Sequence, residues 1–375
     1  IASYPFTTIK PNHGVGYVKV DCIDKEFKVQ CMPSHGFCIN HWRFVPVDLM
    51  DVAGLVPGAS EGKGLGNQFL DDLRNADAFI HIVDASGTTD ENGKQTENYD
   101  PCKDIEFLED ELNKWYHGIL KKVWKTFARQ VEIEKSSEGN FAKAVAKQFS
   151  GLKVNEWHVR DVLREGNFSN KPAGWNDEEV KRFASMLRKK SKPMIIAANK
   201  VDLPKGRENY SKLRAEFPNL IVFPCSADSE LALREAAKAG LIEYIPGEKE
   251  FKTVNNGKIK LSDKQQTALM QIKNNVLNIF TEGTGVQSVL NSAVFSLLKY
   301  IAIFPAGAHK LADSKGRILP DCFLLPPDST ALDFAYSLHS DFGKNFIKAI
   351  DARSKKALGR DYKLKNRDAL EIITK

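Results

Sequence analysis

The sequence predicts an α/β protein: a mostly parallel β-sheet with a helical insertion, followed by a smaller α+β module. Three observations carry this. Short apolar runs recur along the first 225 residues, and each ends in polar residues. Buried parallel strands read in this way. A long helical stretch separates the second run from the third. The last seventy or so residues alternate strand-like and helix-like segments over short distances. A chain of 375 residues has room for two or three domains.

The first run, 44–50, "FVPVDLM", leads into Asp51. The second, 78–83, "AFIHIV", leads into Asp84. The third, 193–198, "PMIIAA", leads into Asn199-Lys200-Val201-Asp202. The fourth, 220–224, "LIVFP", leads into Cys225-Ser226-Ala227. Ligands gather at the carboxyl ends of such strands. Residues 68–75 and 231–239 read as intervening helices. Between the second and third strands, Ile105, Leu108, Leu112, Trp115, Ile119, Val123 and Phe127 recur at three- and four-residue steps. That is one face of a long amphipathic helix, and helical sequence continues to about 190. Residues 261–301 are again mainly helical. In the tail, "CFLLPP", "TALDFAYSLHSDFG", "FIKAIDA" and "ALEIIT" alternate. The expected division is a main domain over 1–103 and 191–303, an insertion over 104–190, and a C-terminal module over 304–375.

A hydrophobic fraction of 42% and a charged fraction of 27% are ordinary for a globular protein. No apolar run approaches the length of a membrane span, so no membrane partner is expected. The net charge of +6 is concentrated: residues 114–190 hold 17 Lys/Arg against 9 Asp/Glu. They also hold four of the five tryptophans, Trp115, Trp124, Trp157 and Trp175. Basic residues interleaved with aromatics suit RNA, through phosphate contacts and stacking. A solvated basic face is the alternative, and Trp115 lies on the apolar stripe. Six dispersed cysteines read as reduced thiols of a cytoplasmic protein. Cys22, Cys31, His35, Cys38 and His41 fall close together, but without a C-x₂-C pair, and zinc is not expected there.

Asp202 carries the base-reading chemistry. A carboxylate there can accept hydrogen bonds from guanine N1–H and the 2-amino group, both absent from adenine. Asn199 would tie the base to neighbouring loops, and the Lys200 stem would cover the base plane. Backbone N–H groups at Ser226 and Ala227 would meet guanine O6. Asp51 and Gly54 form a DxxG pattern in "DVAGLVPGASEGKGLG". The Asp would hold Mg²⁺, a hard cation that keeps part of its hydration shell, and the Gly54 N–H would meet a terminal phosphate. In "YPFTT", a threonine is available to the same ion.

Together, "SYPFTTIKPNHGVGYV", "DVAGLVPGASEGKGLGNQFLDDLRNAD", "ANKVDLP" and "CSA" resemble the Obg family of GTPases, in its YchF-related branch of archaeal and eukaryotic type. The tail, with "FLLPPDSTALDFAYSLHSDFG", resembles the TGS module, a ubiquitin-like β-grasp fold. The resemblance covers most of the chain. It implies a P-loop NTPase-type sheet and GTP as the nucleotide. It also implies Mg-dependent GTP hydrolysis used as a slow switch near the ribosome or RNA. Thr8, rather than Thr7, matches the switch I threonine, with Thr8 and Asp51 serving Mg²⁺. Leu55 falls where many GTPases place a water-orienting glutamine. An apolar side chain cannot position water, so hydrolysis is expected to be slow. YchF relatives often prefer ATP, whereas the intact Asn199, Lys200 and Asp202 favour GTP.

One departure stands out. No GxxxxGK(S/T) phosphate cradle occurs in these 375 residues, and Pro57 breaks the spacing that Gly62-Lys63 would need. The expectation is that an N-terminal segment carrying the cradle is missing, and that the 375 residues alone bind GTP poorly. The alternatives are an RNA or ribosome adaptor on a relic nucleotide fold, and an ATP-preferring relative.

Overall fold

The computed structural model describes residues 12–52, 72–91, 93–133, 138–169, 171–254, 261–308, 310–313 and 315–375. They fall into two compact units: the described residues within 12–13 and 50–289, and those within 14–49 and 290–375.

In the first unit, β4 (Phe79–Asp84), β5 (Met194–Asn199) and β6 (Ile221–Pro224) form a parallel sheet in the order β4-β5-β6. The register pairs Asp84 with Asn199 and Ala198 with Pro224, so all three strands end at one level. Strand β5 is buried along its first five residues, as its unbroken apolar run requires. Helices α5 (Gly206–Glu216) and α6 (Ala227–Lys238) follow β5 and β6. Val83, Ile105, Met194, Ile196, Ala198 and Leu213 belong to the core packed on this sheet.

Between β4 and β5 lies the helical insertion. Helix α1 (Cys102–Ile133) runs for 32 residues, followed by α2 (Glu138–Gln148), α3 (Glu156–Gly166) and α4 (Asp177–Ser191). Local chemistry sets α4. Asn176 and Glu179 form reciprocal hydrogen bonds of 2.9 Å at its start. Three acids fill its first turn, and Arg188, Lys189 and Lys190 fill its last, matching the helix dipole. The buried face of α1 is wider than the expected stripe and takes in Tyr116, Leu120, Trp124, Ala128 and Val131. Ile119, Val123 and Phe127 are partly buried beside it, with Val180, Phe183 and Leu187 of α4 in the same core.

This packing corrects the reading of the aromatics. Trp115, Trp124 and Trp175 are buried. Trp124 and Trp175 stack with ring centroids 5.2 Å apart, and Phe183 lies against both. They form the core of the insertion and are not a platform for bases. Of the four tryptophans only Trp157 is exposed.

In the second unit, β2 (Phe37–Ile39) pairs antiparallel with β3 (Trp42–Asp51), and β1 (Asn12–Asp21) completes a sheet of order β1-β3-β2. The run at 44–50 is therefore not one of the parallel buried strands expected. Its pairing is set by the two-residue turn at Asn40 and His41, both with positive φ (47° and 63°), which folds β2 back on β3. The C-terminal sheet is mixed, in the order β10-β9-β13-β11-β12: Phe323–Leu325, Ile301–Pro305, Ala369–Thr374, Phe346–Asp351 and Ala357–Leu358. It packs against Phe334 of α9 (Ala331–Leu338). The expected boundary at 303/304 falls inside β9, which pairs with β13 and β10 and so belongs to the C-terminal sheet. Residues 14–49 share a core with it, through Val18, Val45, Ala302 and Phe304. Cys22, Cys31 and Cys38, expected as reduced thiols without a metal, converge beside Asp24.

Candidate functional site

The site is assembled where β4, β5 and β6 end. The turn after β5 is left-handed at Lys200, φ 63°. It is pinned from both sides: Ala85 N–H donates to the Asn199 carbonyl (2.9 Å), and Val201 N–H donates to the Cys225 carbonyl (3.2 Å). Gly206 is required beneath it, since a Cβ there would stand 2.5 Å from the Lys200 carbonyl oxygen. The Lys200 ammonium reaches across to β4 and donates to Asp84 Oδ2 at 2.8 Å. Asp84 also accepts from Ser86 Oγ (2.5 Å) and Thr89 Oγ1 (2.7 Å). Burial alone would raise the Asp84 pKa, but the Lys200 ammonium and these hydroxyls outweigh it and hold the carboxyl below its ordinary range. Lys200 is thereby tied to the end of β4.

Asn199 Oδ1 accepts the Ala227 N–H at 3.0 Å and joins the β5 turn to the start of α6. Ser226 N–H donates to the Thr284 carbonyl (2.9 Å), and Ser226 Oγ to Ser229 Oγ (2.7 Å). Beneath this loop Glu230 is buried. It accepts from Thr284 Oγ1 (2.6 Å), Tyr244 O–H (2.8 Å) and Arg234 Nε (2.6 Å). A buried carboxylate with three donors is fully satisfied and holds 284 against 226. Asp202 stands half-buried on the turn, and no hydrogen bond or ion pair engages its carboxylate among the described residues.

The structure thus brings Asn199, Lys200, Ser226 and Ala227 together, with Asp202 two residues beyond Lys200. The amides expected to face guanine O6 are engaged within the protein, Ser226 N–H on Thr284 and Ala227 N–H on Asn199. Ala227 N–H meets a base only by exchanging Asn199 Oδ1 for the base oxygen. Asp51 closes β3 and is exposed. Thr8, Gly54 and Leu55 lie outside the described residues. Sequence reading passed over Asp84, Thr284 and Glu230. Asp84 carried a signal, as the polar end of a strand followed by Ser86, Thr88 and Thr89. Glu230 carried none, because nothing in the spacing of α6 marks a buried acid.

Asp104 borders this region, in the first turn of α1. Burial pushes its pKa up from 3.8 to about 6, reinforced by Glu91, Asp84 and Asp90 and opposed by the Tyr99 hydroxyl, 2.9 Å away. Between those two values the folded chain binds more protons than the unfolded chain, so stability falls as pH rises through the window, and the penalty is complete above it. Asp104→Asn keeps an acceptor for Tyr99 and removes the charge. Thermal unfolding should show the variant more stable than wild type at pH 7, with the gain gone at pH 3.5. A constant difference at both pH values would contradict this.

Three family models match the chain. Residues 197–307 match one described as "Obg-like GTPase YGR210-like, G4 motif-containing domain", residues 309–374 match the TGS domain, and residues 1–115 match "50S ribosome-binding GTPase". A GTP-binding protein of Methanocaldococcus jannaschii is 45% identical over 375 residues, covering 100% of this chain and 92% of the relative. A GTP-binding protein of Schizosaccharomyces pombe is 38% identical over 339 residues, 88% of this chain and 81% of the relative. The ribosome-binding ATPase YchF of Bacillus subtilis is 29% identical over 367 residues, 93% and 80% of the two chains. Among solved structures, a GTP binding protein from Pyrococcus horikoshii superposes with a TM-score of 0.75 at 38% identity, covering 99% of this chain and 94% of that one. With its α/β sheet, inserted helices and TGS domain, the chain belongs to the Obg-like, YchF-type family of GTP-binding proteins.

Proposed function

We propose that this chain reads guanine nucleotides and works as a slow, Mg-dependent GTPase switch at the ribosome or on RNA. The carrying observation is Asp202: an uncommitted carboxylate on a turn whose other members are held, Lys200 by β4 and Asn199 by the start of α6. Such a group accepts from guanine N1–H and the 2-amino group, and adenine leaves it unpaired. In this reading Asn199, Lys200, Ser226 and Ala227 shape the base pocket. Thr8 and Asp51 would hold Mg²⁺, which would supply positive charge for phosphoryl transfer. The Gly54 N–H senses the terminal phosphate, and Leu55, unable to orient water, keeps hydrolysis slow. The compartment that suits this role is the cytoplasm. The described residues include no helix long and apolar enough to cross a membrane.

A second reading, ATP preference, is favoured by the names of more distant relatives, the ribosome-binding ATPase YchF and Obg-like ATPase 1 at 26–31% identity. Titration of the chain with labelled GDP and ADP separates the two. Tighter GDP binding supports the guanine reading, and tighter ADP binding overturns it. The relic-fold adaptor is tested by sequencing the natural N-terminus: a native chain without GxxxxGK(S/T) supports it, whereas weak binding by these 375 residues alone is expected on either reading.

For the ribosomal or RNA partner, the support is the name of the Bacillus relative together with a basic stripe on α1. Lys122, Lys125 and Arg129 are exposed at three- and four-residue steps, on the face away from Leu120, Trp124 and Ala128. Much of the remaining positive charge is paired: Lys121 with Asp177, Arg188 with Glu109, and Lys190 with Asp161 and Glu165. Reversing the stripe (K122E, K125E, R129E) should weaken ribosome co-sedimentation, and the salt slope should fall by about 1 for each phosphate no longer neutralised. An unchanged slope would move this role to the TGS domain, whose segment 320–375 is nearly neutral with 10 Lys/Arg and 8 Asp/Glu.

A further inference from the structure

We propose that Cys22, Asp24, Cys31 and Cys38 form a structural zinc site in the second compact unit. One ligand atom from each lies within 4.8 Å of all the others. Cys22, Asp24 and Cys31 are buried, and Cys38 is half-buried. The Cys22 and Cys31 sulfurs are 3.7 Å apart. A disulfide needs ~2.05 Å, whereas two thiolates on one tetrahedral zinc with Zn–S ~2.3 Å stand about 3.8 Å apart. Once ionised, three thiolates and a carboxylate in a dry site need a cation, because the charges repel one another and lack water.

The surroundings are built to hold such an ion. His41 Nδ1 lies 2.9 Å from Asp24 Oδ1, and the Cys31 N–H donates to Asp24 Oδ2 (3.2 Å), so the carboxylate is oriented by neighbours outside the ligand set. Three thiolates and a carboxylate on a divalent cation leave two negative charges uncompensated. Arg43 is fully buried with its guanidinium beside Cys31 and Cys22, and its Nε has no hydrogen-bond partner among the described residues. Its other nitrogens donate to the carbonyls of Leu319 (2.5 Å) and Pro320 (3.4 Å), which fixes the charge there. The segment also needs a staple. Between Cys22 and β2 the described backbone has only the short helix Ile23–Lys25, and left-handed residues stand at Lys28 and Gly36. Metal binding supplies folding energy to such a segment. Sulfur ligands exclude magnesium and calcium, and a tetrahedral thiolate-rich set favours zinc. The spacing C-x-D-x₆-C-x₆-C hid the site because its ligands come from a strand end, a short helix, an irregular segment and β2, with no C-x₂-C pair.

The test uses the full chain, produced without a polyhistidine tag and assayed for metals after gel filtration. The expected result is close to one zinc per chain. Cobalt(II) added to the metal-free protein should give thiolate-to-cobalt charge-transfer bands and the visible bands of a tetrahedral site. Asp24→Asn should lower zinc affinity by at least about 10–100-fold, and Cys38→Ser should remove the charge-transfer contribution of one thiolate. If Cys38→Ser fails to fold, the cobalt spectrum of the wild-type chain decides. Zinc below about 0.2 per chain with no cobalt bands would overturn the proposal. So would stoichiometric iron in place of zinc, or a Cys22–Cys31 disulfide found by mass spectrometry.

Discussion

Asp202→Asn should weaken GDP binding on the order of 10²–10⁴-fold and raise the relative affinity for xanthosine diphosphate. The reason is donor and acceptor matching. Guanine presents N1–H and the 2-amino group, two donors, and a carboxylate meets both. Asparagine keeps one acceptor and turns an amide N–H₂ toward the amino group, donor against donor. Xanthine carries an oxygen in place of that amino group and pairs with the amide. The effect should be confined to binding, because no hydrogen bond or ion pair holds the Asp202 side chain among the described residues. Isothermal titration of wild type and variant with both diphosphates, alongside their melting curves, gives the result. GDP affinity unchanged within twofold would remove Asp202 from the base pocket.

Gly285→Ala should cost about 3 kcal/mol of stability and also weaken guanine nucleotide binding. Gly285 has φ +80°, and a Cβ there would stand 1.8 Å from the Pro224 carbonyl oxygen and 3.0 Å from the Cys225 sulfur. Both neighbours are fixed. Pro224 ends β6 in register with Ala198, and the Cys225 N–H donates to the Ala198 carbonyl at 2.8 Å. The clash can be relieved only by moving the strand end that carries Ser226 and Ala227. A control separates clash from backbone strain. Gly240 has φ +70° with open space around it, and Gly240→Ala should cost only the left-handed penalty, about 1–2 kcal/mol. Equal losses from the two substitutions, read from urea unfolding, would show that the contact with Pro224 is unimportant.

Much of the proposed base-reading turn was legible because it is local. Asn199, Lys200 and Asp202 sit in four consecutive residues after an apolar run, and both the strand and the turn were expected where they occur. Asp84 was half-legible, as the polar end of a strand; that Lys200 reaches it depends on β4 and β5 being neighbours across the whole insertion. Glu230, Tyr244 and Thr284 were not legible, since their partners lie 14 and 54 residues apart in sequence. The tryptophans of the insertion misled for a related reason. Interleaving with basic residues along the chain says nothing about which side of a helix each takes, and three of the four face inward.

The sequence by itself determined the element types, the order of the strands and motifs, and the chemistry on offer at each strand end. These rest on short-range patterning, in which apolar runs specify strands and helical steps specify buried faces. Only the tertiary structure decided that 44–50 pairs antiparallel with 37–39, that 14–49 shares a core with 290–375, and that three cysteines and Asp24 meet. Each of those outcomes depends on which apolar faces find one another, and strand patterning names a face without naming its partner.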